Sequence, residues 1–221
     1  DIINTNTFGA NRLKYPDNLE EIVTKAVEHA KKARELTGRG DALIALDLGP
    51  TGKLLEPLGD LSFDDAVDIY AEVIEYGTKA GADVILIETM QDSYELKAAV
   101  LAAKEHSHLP VCATVVFDEK GKMLTGGTPE SVVALLEGLH VDALGINCSL
   151  GPTQIKPFVE RMIKSGHGAM LEHGTVYLKV DVGKNEHGAQ RPRFLYCPHG
   201  FIGNVRTHAY LLMPASSVFS I

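Results

Sequence analysis

Cys148 and Glu88 are the side chains of this sequence best placed to do chemistry, because each lies at the end of an apolar run. Cys148 closes Ala143-Leu-Gly-Ile-Asn147, and Ser149-Leu-Gly-Pro152 opens the next turn. Glu88 and Thr89 close Val84-Ile-Leu-Ile87, and Asp47 follows Ala42-Leu-Ile-Ala-Leu46. Thr114 sits within Pro110 to Phe117, and Thr5, Asn6 and Thr7 come just after Ile2-Ile3. A thiolate serves as a metal ligand or a nucleophile. A carboxylate accepts from an amino group, while hydroxyls and backbone N–H groups suit a carboxylate. If these ends share one face, as the parallel strands of a βα-barrel do, they converge on a small polar ligand such as an amino acid.

Each residue also has a plainer reading. Polar side chains at strand ends satisfy backbone groups there, which would account for Asp47, Thr114 and Asn147. Cys148 can be a buried thiol packing like a small hydrophobe, and Cys112, inside an apolar strand, reads as core. Glu88 resists that explanation, since an acid closing an apolar run must be paired or solvated. Cys197-Pro-His199 brings two metal-ligand types together, but no second pair completes a zinc motif. Gly49-Pro-Thr-Gly52 and Leu124-Thr-Gly-Gly127 lack the Lys-Ser/Thr of a phosphate loop and read as turns.

The elements that must carry these residues alternate. Strands are expected at Ile2–Thr7, Asp41–Leu48, Val84–Glu88, Pro110–Phe117 and Ala143–Cys148. Helices are expected at Asn18–Leu36, Ser62–Gly81 and Ser93–His106, from Thr128 onward, and at Thr153–Lys164. Such alternation argues for βα units around a parallel sheet. Ser62 with Asp65 reads as a capping box with Asp in place of Glu, and Pro129 takes a first helical position. After Lys164 the grammar changes. Thr175–Val182 could pass for a strand, and Tyr210-Leu-Leu-Met213 is too short to assign. His187, Arg191, Pro192, Arg193, Pro198, His199 and His208 crowd a stretch poor in acids.

With 221 residues, 45% hydrophobic and 23% charged, the chain has the make-up of one soluble α/β domain and is short for a complete barrel. A net charge of −8 argues against a nucleic-acid or anionic-lipid surface. No apolar run approaches a membrane span. Three scattered cysteines make no disulfide framework, so the cytosol is the expected location.

Four segments in order carry a family resemblance: Asp1-Ile-Ile-Asn-Thr-Asn-Thr-Phe-Gly-Ala-Asn-Arg12, Ala45-Leu-Asp-Leu-Gly-Pro-Thr-Gly52, Asp83-Val-Ile-Leu-Ile-Glu-Thr89 and Ala143-Leu-Gly-Ile-Asn-Cys-Ser-Leu-Gly-Pro152. Over residues 1–164 the chain resembles the homocysteine S-methyltransferase family. The resemblance implies a (β/α)8 TIM barrel with a zinc ion held by three cysteine thiolates. Zinc keeps the homocysteine sulfur as a thiolate, which attacks a methyl group to give methionine. By motif, Cys148 is similar to the first zinc ligand and Glu88 to the acid holding the homocysteine amino group. Thr5, Asn6, Thr7 and Asn147 correspond to residues shaping that pocket. In the most similar branch of the family, methylcobalamin is the donor, and further cobalamin and folate domains regenerate it.

The family's first strand with its Asp-Gly-Gly turn, and the Gly-Gly-Cys-Cys-Gly of its eighth strand, do not occur in the chain. The expectation is therefore an incomplete barrel, about strands two to six, over residues 1–164. An irregular C-terminal tail over 165–221 would follow, the product of a shifted reading frame or a disordered segment. Asp1 in place of Met, in a strand already under way, fits a lost start. Two other readings stand beside this one: a non-catalytic, zinc-free barrel remnant, and a different TIM-barrel enzyme acting on a phosphorylated substrate.

Overall fold

A computed structural model describes residues 1–165 in full, together with the backbone of 180–184, 190–194 and 210–212. The order is β1 (Ile2–Asn4), α1 (Leu19–Leu36), β2 (Leu43–Leu48), α2 (Phe63–Ala80), β3 (Val84–Met90), α3 (Ser93–His106), β4 (Val111–Val115), α4 (Pro129–Gly138), β5 (Ala143–Ile146) and α5 (Pro152–Ser165). β6 (Val180–Lys184), β7 (Gln190–Phe194) and β8 (Tyr210–Leu212) follow. β1 to β5 form a parallel sheet in chain order. β8 pairs antiparallel with β5, and β6 and β7 make a separate antiparallel pair.

Side chains alternate along each strand, so every strand divides its residues between two faces. Ile44, Leu46, Ile85, Ile87, Ala113, Val115, Leu144 and Ile146 pack with the apolar stripes of all five helices. The alternate residues, Leu43, Ala45, Val84, Leu86, Cys112 and Ala143, form a second cluster that contains no helix residue. Right-handed crossovers that keep the strand order put every helix on the same side. A doubly wound sheet instead reverses its order and is covered on both faces. This alternating α/β architecture, a five-stranded parallel sheet with one helix-free face, is consistent with part of a TIM-barrel-like fold.

The units are joined at the sheet's lower edge by a device used twice. Asp83, just before β3, accepts from the Ile44 backbone N–H at 2.9 Å and from Arg34 of α1 at 2.9 Å. Asp142, just before β5, accepts from the Val111 backbone N–H at 2.8 Å and from Lys104 of α3 at 3.3 Å. In each case an acid ties the start of a strand to its neighbour and to the last turn of an earlier helix. Arg161 of α5 grips Glu130 of α4 with two bonds of 2.7 Å, which holds the Glu130 carboxyl down at about 2.

The helix starts follow their sequence signals with one difference. Ser62 Oγ accepts from the Asp65 N–H at 3.1 Å, but the Asp65 carboxylate takes the Ser62 hydroxyl proton at 2.7 Å. The shorter Asp thus bonds the cap's side chain. The reciprocal box occurs at α4, where Ser131 N–H donates to Thr128 Oγ1 at 3.3 Å and Thr128 N–H to Ser131 Oγ at 2.8 Å. Among the described residues, no helix is long and apolar enough to cross a membrane.

Candidate active site

Continuing the alternation up the helix-free face brings a polar layer over the apolar one. Asn4 follows Ile2, Asp47 follows Ala45, Glu88 follows Leu86, Thr114 follows Cys112, and Asn147 follows Ala143 and Gly145. A β-bulge between Ile87 and Met90 sets Glu88 and Thr89 together opposite Thr114. Thr89 takes a left-handed φ of 63° there, and its N–H donates to Thr114 Oγ1 at 3.3 Å. Such a conformation in a β-branched residue costs about 1–3 kcal/mol and persists where surrounding bonds enforce it.

Those bonds lead to Cys148. Asn147 Nδ2 donates to Thr89 Oγ1 at 2.8 Å, and the same oxygen lies 3.7 Å from Cys148 Sγ. Having accepted from Asn147, the Thr89 hydroxyl still has its proton and a second lone pair, so either it or the thiol donates in that contact. Cys148 and Ser149 also have left-handed φ values of 53° and 58°. This turn is pinned by Ser149 Oγ donating to Phe117 O at 3.0 Å. Glu88, Thr89 and Cys148 are half-buried, while Asn147 is buried.

Thr5 and Thr7 close the other side of the layer. The Thr7 hydroxyl donates to Asp47 O at 2.7 Å, so in the 2.6 Å contact between the two hydroxyls Thr5 must be the donor. Thr5 Oγ1 in turn accepts from the Asp47 N–H at 3.1 Å. Both hydroxyl protons are thereby committed to latching the segment after β1 onto β2. Asn6, between them, is exposed.

Asp47 itself is buried, and its Oδ1 meets no hydrogen-bond donor. Burial, reinforced by the negative charge of Glu88, pushes its carboxyl up to about 8, so it carries a proton at neutral pH. Asn147 Oδ1 and Asn4 Nδ2 are likewise buried without a partner. Cys112 lies in the apolar cluster below, its thiol pushed up to about 12 chiefly by burial, in agreement with the core reading.

The Gly49–Gly52 turn is anchored from outside. Glu95 of α3, 3% exposed, accepts from the Thr51 N–H at 2.7 Å, the Thr51 hydroxyl at 2.6 Å and the Tyr70 hydroxyl at 3.0 Å. Its sequence signal was its place on the buried alanine face of α3, with Ala98, Ala99 and Ala102. Leu124–Gly127 is also a turn, closed by Met123 N–H donating to Gly127 O at 2.8 Å.

Among the described residues no three His, Cys, Asp or Glu side chains converge as a metal site. Zinc needs three protein ligands and Cys148 supplies one, so these residues do not by themselves fit the ion. Cys197 and His199 lie outside the described residues.

A profile of the homocysteine S-methyltransferase family matches residues 1–197. The methionine synthase of Mycobacterium tuberculosis is 31% identical over 174 residues, which cover 73% of this chain and 14% of that protein. The methionine synthase of Mycobacterium leprae is 32% identical over 185 residues, covering 74% and 14%. The chain thus spans about one seventh of the length of these relatives. Among solved structures, the apo form of the homocysteine methyltransferase MmuM from Escherichia coli aligns with a TM-score of 0.60 at 25% identity, over 73% of this chain and 60% of that one. Its metallated form aligns at 0.58 and 23% identity, over 66% and 57%. The chain belongs to the homocysteine S-methyltransferase family, a family of methyltransferases.

Proposed function

We propose that this chain supplies the homocysteine-binding wall of a TIM-barrel enzyme that methylates homocysteine to methionine. One observation carries the reading: Asp47, Glu88, Thr114 and Asn147 share the helix-free face, with the Cys148 sulfur bonded to the same layer through Thr89. Glu88 receives the substrate's ammonium group, Asn147 and Thr89 set the wall beside the sulfur, and Thr5, Asn6 and Thr7 shape the opposite rim. The thiol proton is lost, the sulfur's electron pair forms the new S–CH3 bond, and the methyl–donor bond breaks with its pair left on the donor. By similarity to the methionine synthases the donor is methylcobalamin, renewed by cobalamin and folate domains of a longer protein working in the cytosol. Cys148 is our candidate ligand for the zinc of the family.

Calorimetric titration of the 221-residue chain with L-homocysteine tests the reading. One site per chain is expected, weakened at least tenfold in Glu88→Ala. Absence of saturable binding would overturn it. The zinc-free remnant is the second reading, favoured by the single sulfur at the polar layer. Metal analysis separates the two, since about one tightly held zinc per chain removes the remnant reading.

A further inference from the structure

Asp47 shares the helix-free face but touches no substrate group in the scheme above, yet its side chain is set up to receive something. It is 6% exposed, and its Oδ1 is shielded from solvent without any donor. Its Cα partner across the sheet is Leu86, so Glu88 stands two residues further along on the same face. Asn147, 1% exposed, gives its amide N–H to Thr89, which leaves its Oδ1 as a second buried acceptor lacking a donor. From the segment after β1, Thr5 and Thr7 face Asp47 with hydroxyl protons already committed to each other and to the backbone. From β3 the facing charge is Glu88, and among the described residues no cationic side chain acts on Asp47. Two buried acceptors, Asp47 Oδ1 and Asn147 Oδ1, that meet no donor among the described residues call for a ligand that brings several N–H donors, and the neighbouring acid favours one with a positive charge.

We propose that Asp47 and Glu88 jointly receive the ammonium group of an α-amino acid, with the Asn147 side-chain oxygen as a third acceptor. The assignment rests on the homocysteine reading above and extends it to a second acid. With no ligand bound, Asp47 is a neutral acid at pH 7. As the ammonium enters, Asp47 gives its proton to solvent and becomes the carboxylate that pairs with the ligand's charge. Binding is therefore linked to release of a proton, and it strengthens as pH rises toward the point where Asp47 ionises unaided, at about 8.

The probe is L-2-aminobutyrate, which is homocysteine without its sulfur, so no thiol proton enters the count. Titration calorimetry in two buffers of different ionisation enthalpy should show roughly one proton released per ligand at pH 7, and affinity should rise about tenfold between pH 6 and pH 7. Asp47→Asn should abolish both the release and the pH dependence while weakening binding at pH 8 by about tenfold. The assignment is overturned if the wild-type chain releases no proton, or if Asp47→Asn keeps the wild-type affinity and slope. The wild-type proton count decides the matter even if the variant does not fold. Saturable homocysteine binding with no aminobutyrate binding, or with no proton release, overturns the role of Asp47 alone. Failure to bind either amino acid overturns the homocysteine reading with it.

Discussion

A carboxyl that keeps its proton at neutral pH makes folding itself sensitive to pH. Asp47 ionises near 4 in an unfolded chain and at about 8 in the folded one, because burial and then Glu88 disfavour its charge. Between those values the folded state holds a proton that the unfolded state has lost, so stability falls as pH rises through that interval. Urea midpoints of the ligand-free chain are expected to decline from pH 5 to pH 8. Asp47→Asn should remove on the order of 3 kcal/mol of that decline. An unchanged slope would show that Asp47 ionises freely. Glu95 is a buried acid whose Oε1 accepts from three donors. Glu95→Ala strands the Thr51 N–H and the Thr51 hydroxyl, while the Tyr70 hydroxyl keeps the Gly49 carbonyl, and is expected to cost roughly 3 kcal/mol in chemical denaturation. Of these two acids only Asp47 stood out in the sequence, as a strand-end residue with a plain structural reading, because a charge closing an apolar run is conspicuous. Glu95 sits among helix formers, where a Glu ordinarily meets water. Thr89 was legible as polar but not as left-handed, since nothing in Val84-Ile-Leu-Ile-Glu-Thr-Met90 marks a bulge.

At the scale of the element, the helices matched their sequence signals closely because their stops and caps are chemical. Asn18, Ser62, Asp92 and Thr128 precede the four helices α1 to α4, and all but Asn18 cap with the side chain. Four of the five strands came out shorter than expected, while β3 runs on past Glu88 to Met90 through its bulge. β1 stops at Asn4 and β5 at Ile146, and the polar residues beyond them leave the ladder for latches and turns. Apolar runs reveal where a strand is buried, whereas its last rung depends on what the next residues bond. The Asp83 and Asp142 ties were invisible for the same reason: their partners lie 39 and 31 residues away. Asp83→Ala is expected to cost about 1–3 kcal/mol, since it leaves the Ile44 N–H without its acceptor and Arg34 with the Ala42 carbonyl in place of an ion pair. Asp83→Asn, which keeps a carbonyl for the Ile44 N–H, should cost less, and equal losses in the two variants would refute this account.

For the whole molecule, βα alternation made the parallel sheet readable in advance, but not which face would be left without helices. That follows from handedness repeated without reversal, a property of the path and of no single residue. The arrangement predicts a gradient in backbone protection. β2, β3 and β4 have a parallel neighbour on both sides and a helix layer over one face, and their amides should exchange slowest by mass spectrometry. β1 pairs on one side with β2, and uniform protection from β1 to β4 would contradict the prediction. The strand order has a further consequence. Nearly every contact between elements of the parallel sheet and its helices links near neighbours in the chain, with α1 against α2, α2 against α3, and α4 against α5. Each new unit finds its docking surface already made by the one before it, so few long loops must close at once. As the polypeptide leaves the ribosome, the layers can therefore set one after another from the amino end. Protease resistance on stalled nascent chains should then grow in steps, one per strand and helix emerged.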